Sequence, residues 1–283
     1  MNIYCEFENL NEISNKRTNF ISKTKLRKLK TTITKVEIKT KKQSLVFKKD
    51  KGLYTTIFCE EFDYLSNYDF DFLTSILQKE IEKSLKTILK NKDNENLKYF
   101  VVGLGNIDIT ADSLGPKVVD NILSTYKDIE DKKISNKIFG NVFTLSPSIA
   151  SKNGIYTYQI IKSICKELKP DVVILIDSLS CKNINYLGRT FQINTCGLTP
   201  GGEIENAQPI INKTSLKIPV LAIGCPVVTN LSNLQFSPEF NPVLTLKDID
   251  IAINKYSDII SFSLNKIIHK NLTKNEIIFL TKK

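Results

Sequence analysis

Tryptophan is absent, histidine and methionine occur once each, and only three of the 40 basic residues are arginine. A single imidazole, His269, excludes a His-rich zinc centre and a Ser-His-Asp triad, since both need histidine at the reacting atoms. Arg17, Arg27 and Arg189 are too few for base-edge readout, which leans on bidentate guanidinium contacts, so sequence-specific DNA recognition is a poor fit. The six cysteines stand at positions 5, 59, 165, 181, 196 and 225 with no CxxC pair. In a chain of this length they make no disulfide scaffold and suit a reducing cytoplasm. No apolar run approaches the roughly 18–20 residues that a membrane helix needs. The first 20 residues also lack a basic segment leading into an apolar one, so no signal peptide is expected. Proline is missing before Pro116, and all nine prolines lie from there onward.

What is present suits a folded protein. At 283 residues and 41% hydrophobic, the chain has material for one large domain or two small ones. Its net charge of +10 is unevenly placed: 14 Lys or Arg lie between Lys16 and Lys51, against only Glu37 and Asp50. Outside that window the chain is close to neutral. Such an arm can meet DNA or an acidic surface, or be a solvated lysine-rich face.

The opening stretch to about Lys30 has little pattern and reads as a mobile leader or a short helix. TTITKVEIK (Thr31–Lys39), QSLVFKK (Gln43–Lys49) and LYTTIFCE (Leu53–Glu60) read as an antiparallel meander of β-branched and aromatic strands. A helix is expected over Asp69–Lys90, where Phe70, Leu73, Leu77, Ile81, Leu85 and Ile88 recur with helical period. Beyond the polar KNKDNEN linker, strands and helices alternate. The expected strands are Tyr99–Leu104, Val142–Leu145, Val172–Ile176, Arg189–Asn194 and Val220–Ile223. The expected helices are Lys117–Tyr126, Tyr156–Leu168 and Leu246–Lys270. Val- and Ile-rich strands separated by helices predict an α/β fold, a mostly parallel central sheet with helices on both faces. The β-rich portion 31–60 extends one edge, the core spans 97–230 and a terminal helix covers 246–270.

An open α/β sheet carries its chemistry in loops at the carboxyl ends of its strands. Gly103-x-Gly105 begins such a loop, but the third glycine of a dinucleotide fingerprint is replaced by Asp108, which would repel a pyrophosphate. Asp112 has a simple reading as the N-cap of the following helix. Asp177 directly follows the apolar strand VVILI, where a carboxylate raises its own pKa unless paired or hydrogen-bonded. Facing each other, Asp112 and Asp177 could divide acid and base roles, one protonated and one charged, with no histidine, metal or thiol. Two unrelated caps at strand ends are the plainer reading. Cys181, Cys196 and Cys225 near loop ends lack a histidine partner, and His269 reads as a surface or packing residue. Asp108, Asp112 and Asp177 could also offer oxygens to a hard cation. Glu203 and Glu205 lie in a Gly-rich loop and either meet a basic substrate or are solvated.

VVGLGNIDITADSLGPKVVDNI (Val101–Ile122), KPDVVILIDSLS (Lys169–Ser180), RTFQINTCGLTPGG (Arg189–Gly202) and KIPVLAIGCPVV (Lys217–Val228) together resemble, in that order, the core of the germination proteases of spore-forming bacteria. The resemblance implies an aspartic-type endopeptidase that degrades the small acid-soluble DNA-coating proteins of the spore core at germination. It implies a phosphorylase/hydrolase-like fold shared with the hydrogenase-maturation peptidases, a tetramer, and residence in the cytoplasm of the forespore and spore core. It also implies a self-cleaving zymogen, with residues 1–22 as propeptide, cut between Arg17 and Lys23, and 23–283 as one peptidase domain. The family's catalytic aspartates fall on Asp112 and Asp177. Gly105, Asn106, Asp108, Gly197 and Glu203 are candidates for pocket or substrate contacts. No cofactor, metal or membrane is expected, and the basic arm is the candidate for any direct DNA contact.

The sequence departs from the family pattern in four places. Ile107-Asp108 replaces an aromatic–Asn pair, adding negative charge beside the proposed dyad. Ser180-Cys181-Lys182-Asn183 replaces an Arg-bearing stretch, and Ser151-Lys152-Asn153-Gly154 replaces a GITG-like turn. The long insertion before the C-terminal helix is nearly gone. Two other readings follow: a metal-dependent maturation-type peptidase on the same fold, or a degenerate homologue that only binds protein or DNA.

Overall fold

The computed structural model describes residues 20–63, 66–90, 96–200, 209–230 and 243–281. Nine strands form one sheet: β1 (Ile21–Leu26), β2 (Thr31–Ile38), β3 (Gly52–Cys59), β4 (Lys98–Gly103), β5 (Asn141–Leu145), β6 (Val172–Cys181), β7 (Thr190–Asn194), β8 (Val220–Asn230) and β9 (Val243–Thr245). Their order is β1-β2-β3-β7-β8-β6-β4-β5, with β9 on β8. Nine helices accompany them among the described residues: α1 (Lys41–Phe47), α2 (Phe70–Leu89), α3 (Leu114–Asp120), α4 (Tyr126–Glu130), α5 (Ala150–Asn153), α6 (Thr157–Leu168), α7 (Lys213–Leu216), α8 (Ile249–Ile268) and α9 (Lys274–Thr281).

The expected mostly parallel sheet is in fact mixed. Only β5–β4, β4–β6 and β6–β8 run parallel; the other five pairings are antiparallel. A short connection allows only antiparallel neighbours, which accounts for β1–β2, whereas each parallel pair needs a long crossover. Helices do cover both faces. On one, Leu73, Leu77 and Ile81 of α2, Leu114 and Val118 of α3, and Ile253, Tyr256 and Ile260 of α8 pack on Val101, Ile174, Ile176, Ile193 and Ile223. On the other, Ile161 and Cys165 of α6 meet Phe100, Val102, Val173, Leu175 and Ala222.

Four local expectations give way. Gln43–Lys49, read as a strand, belongs to helix α1: the Thr40 side chain accepts from the Gln43 N–H while the Gln43 side chain accepts from the Thr40 N–H. This reciprocal cap satisfies two donors that a helix start would leave bare, and it outweighs the β-branched, aromatic tail of the segment. Ile21–Leu26, read within a leader or short helix, is the edge strand β1 paired with β2. The helix expected at Lys117–Tyr126 is divided into α3, which starts at Leu114, and α4, which starts at Tyr126. The strand expected to stop at Ile176 runs on to Cys181, because β8 continues beside it to Asn230.

Candidate active site

The loop after β4 is shaped by glycines in contact. A methyl group at Gly103 would lie 2.1 Å from the Gly115 carbonyl oxygen, and one at Gly115 would lie 2.2 Å from that of Leu104 and 2.7 Å from that of Ile176. Only hydrogen at these positions lets the start of α3 sit on the ends of β4 and β6. Gly103 is paired with Ile176 in the sheet, and the Leu104 N–H donates to the Ile176 carbonyl at 2.8 Å. Gly105 adopts φ +112, and a methyl group there would lie 2.0 Å from the Asp112 carbonyl oxygen.

That turn places Asp112. Asn106 is buried, and its N–H donates to the Asp112 carboxylate at 2.8 Å and to the Asp112 carbonyl at 3.1 Å. Asp112 closes a 3₁₀ turn over Thr110–Asp112. It is not the helix cap expected of it, because Ser113 holds that position and makes no side-chain capping bond. Burial pushes the Asp112 carboxyl above the ordinary Asp value, and the Asn106 N–H pulls the other way without prevailing.

Asp177 lies within β6 instead of ending it. It follows Ile176, whose carbonyl accepts from the Leu104 N–H and approaches Gly115, so it lies beside the start of the loop that runs from β4 to Asp112. Across β6 from β4, Asp177 is registered with Gly224 of β8, and the pairing slips between Leu179 and Ser180. Bulges of this kind bend a strand and re-aim the side chains around it.

Against Gly224, the register partner of Asp177, opens a cavity of about 260 Å³. Leu179, Ala222 and Gly224 of β6 and β8 form part of its wall, with Gly197 and Leu198 after β7 and Leu45 from α1. Gly197 lines this cavity. Gly105 and Asn106 belong to the turn that holds Asp112. Glu203 lies outside the described residues. Asp108 is directed outward, 64% exposed in its side chain and ion-paired with Lys152 of α5, while its N–H donates to the Asn106 side chain at 3.1 Å. Lys152 and the α1 wall were not foreseen as parts of this edge. Leu179 was readable in principle, because it stands two residues beyond Asp177 on the same strand.

The alternative nucleophiles are poorly placed. Cys181 and Cys225 are buried, and burial raises the Cys225 thiol well above its usual value, which disfavours the thiolate. Cys196 lines the cavity, but His269 sits fully buried at the end of α8, where its Nε2–H donates to the Leu123 carbonyl and its Nδ1 accepts from the Gly140 N–H. Among the described residues, no group of three or more His, Cys, Asp or Glu could hold a metal ion. No helix among them is long and apolar enough to cross a membrane.

A family model for germination proteases matches residues 2–238. The germination protease of Clostridium tetani is 33% identical over 204 residues, covering 71% of this chain and 61% of the relative. That of Caldanaerobacter subterraneus subsp. tengcongensis is 30% identical over 293 aligned residues, covering 87% of both chains. Against the clostridial relatives the chain spans about three fifths of their length. A [NiFe] hydrogenase maturation protease, HycI from Thermococcus kodakarensis, aligns with TM-score 0.35 and 16% identity over 64% of this chain and 97% of its own. The family match over residues 2–238 and identities of 30% and 33% to these relatives lead to one statement: this chain belongs to the germination protease family, a class of aspartic-type endopeptidases.

Proposed function

We propose that the chain is an endopeptidase that degrades small acid-soluble spore proteins during germination, using Asp112 and Asp177 to activate water. The observation that carries this reading is the half-buried Asp112 carboxyl, bonded to the Asn106 N–H and pushed upward in pKa, in the loop that follows β4, the sheet neighbour of β6 and its Asp177. A carboxyl whose pKa is pushed upward suits Asp112 to the acid role and leaves Asp177 as base. In the first step Asp177 takes a proton from water as its oxygen attacks the scissile carbonyl carbon, and Asp112 protonates the carbonyl oxygen. Collapse of the tetrahedral intermediate breaks the C–N bond: the proton on Asp177 goes to the departing amine, and a hydroxyl proton of the intermediate returns to Asp112 as the new carboxyl forms.

Self-processing extends the same reading: the propeptide would span residues 1–22, with a cut between Arg17 and Lys23, and the remaining chain would be the peptidase domain. Assembly as a tetramer in the forespore and spore core, and contact of the basic arm with DNA, belong to this proposal by family likeness.

The test uses a small acid-soluble spore protein as substrate and compares Asp112→Asn, Asp177→Asn and the double variant. Each single change is expected to remove most turnover, and the double change to cost little more, since residues acting as a unit are not additive. Two single variants that cleave at the wild-type rate sink the proposal. Mass analysis of the full chain at mildly acidic pH, with Asp177→Asn as control, reads self-cleavage near residue 20.

A further inference from the structure

The basic residues that crowd the stretch up to Lys51 have no part in the proton transfers just described, and the fold sorts them into two groups. One group is neutralised. Lys28 pairs with Asp69 at 3.5 Å, Lys30 with Glu61 at 2.6 Å, Lys39 with Glu37 at 2.9 Å, and Lys35 with Glu80 of α2. The other group is bare. Lys23, Lys25, Lys41, Lys42, Lys48 and Lys51 are exposed, and no carboxylate among the described residues pairs with any of them. Between Lys41 and Lys51 the one acidic residue is Asp50.

The bare cations share one side of the molecule. Ile21, Lys23 and Lys25 alternate onto the same face of β1. Ile21 packs there with Val36, Tyr54 and Phe47, so α1 covers the face from which Lys23 and Lys25 project. Folding gains nothing from two of the charges on α1. Lys41 and Lys42 fill its first turn, where no acidic residue accompanies them and the helix dipole disfavours cations. Lys23 and Lys25 stand about 7 Å apart along their strand, and Lys41 and Lys48 about 10 Å apart along their helix. Such a spread is too wide for one small anion and suits a polyanion.

We propose that the face made by β1 and α1 docks on the phosphate backbone of double-stranded DNA without reading its sequence, through Lys23, Lys25, Lys41, Lys42, Lys48 and Lys51. Duplex DNA carries one negative charge per about 1.7 Å of its axis. An array of unpaired cations answers that density, whereas a protein surface of mingled charge does not. Lysine ammoniums act as point charges on phosphate, and the scarcity of arginine leaves little to read base edges. The inference rests on the reading above, in which the substrates coat DNA. It adds which side chains make the contact, and docking there would hold the enzyme where its substrates lie.

The test titrates a fluorescent mixed-sequence DNA duplex with the full chain over a series of salt concentrations. Six phosphate contacts predict a slope of log K against log salt of about −5, a loss of about a thousandfold between 50 and 200 mM. Changing Lys23, Lys25, Lys41 and Lys42 together to Gln should flatten that slope to about −2. The same change at Lys127, Lys137, Lys162 and Lys166, exposed lysines on and around α4 and α6, removes as much charge elsewhere and should leave the slope near the wild-type value. Thermal melts confirm that both variants are folded. A wild-type slope flatter than about −2, equal flattening in the two variants, or competition by polyglutamate as strong as by unlabelled duplex overturns the DNA face. Asp112→Asn and Asp177→Asn should bind with the wild-type slope, so failure of the peptidase reading shows separately, as full cleavage by those two variants.

Discussion

At Asp112 two influences compete: burial disfavours the charged carboxylate, and the Asn106 N–H bond favours it, with burial the larger. A carboxyl whose folded pKa lies above its unfolded value costs stability once ionised. That cost is absent in acid and grows as pH rises from the ordinary Asp range through the raised value. Asp112→Asn should therefore raise the thermal midpoint at neutral pH relative to wild type, and the gain should fade in melts near pH 3. An unchanged difference at the two pH values would contradict the assignment. Neighbouring Asp108 behaves differently. Its ion pair with Lys152 is largely exposed, so Lys152→Ala should cost no more than about 1 kcal/mol in urea unfolding. The negative charge that sequence reading placed beside the dyad is thereby partly offset by a lysine from another departing segment, and nothing local in Ile107-Asp108 foretells that partner.

Helix α1 shows how an element can be misread although its signal is short and present. Thr40 and Gln43 form a capping box, but Leu45, Val46 and Phe47 weigh toward a strand when the segment is judged by composition. Thr40→Ala should destabilise the protein by about 1 kcal/mol, read as a lower urea midpoint. Helix α2 was legible from its period alone, yet its attachment to the sheet was not. Glu80, 3% exposed, pairs with Lys35 of β2 and with Lys83 one turn on. Glu80→Gln leaves Lys35 without its counter-charge; because both lysines reach solvent, the expected cost is about 2 kcal/mol, below the range for fully buried pairs. A chemical-denaturation midpoint that does not move would show the ion pair to be idle.

Across the whole molecule, His269 ties the end of α8 to the turns bearing Leu123 and Gly140, so it joins that helix to the strands it covers. Burial lowers its pKa to about 4 from an ordinary 6.5, with the Leu123 carbonyl opposing the shift. The neutral ring is the folded form. Stability is full above about pH 6.5, where the unfolded chain is also neutral, and is lost progressively as pH falls toward 4. The shift is worth up to about 3 kcal/mol. Urea midpoints measured from pH 7 to 4 should fall more steeply for wild type than for His269→Gln, whatever the variant loses at neutral pH.

Residue types and periods alone determined the long helices, the buried strands VVILI and YFVVGL, the scarcity of histidine, and the two aspartates worth watching. These are local properties: apolar spacing decides which face is buried, and composition decides which chemistries lack their atoms. Only the tertiary structure decided that the sheet is mixed, that β6 passes through Asp177 to Cys181, that Asp112 bonds Asn106 instead of capping α3, and that a cavity opens beside Gly224. Each depends on which strand lies alongside and how closely two backbones approach, and contacts between residues so far apart in the chain leave no periodic trace in either segment.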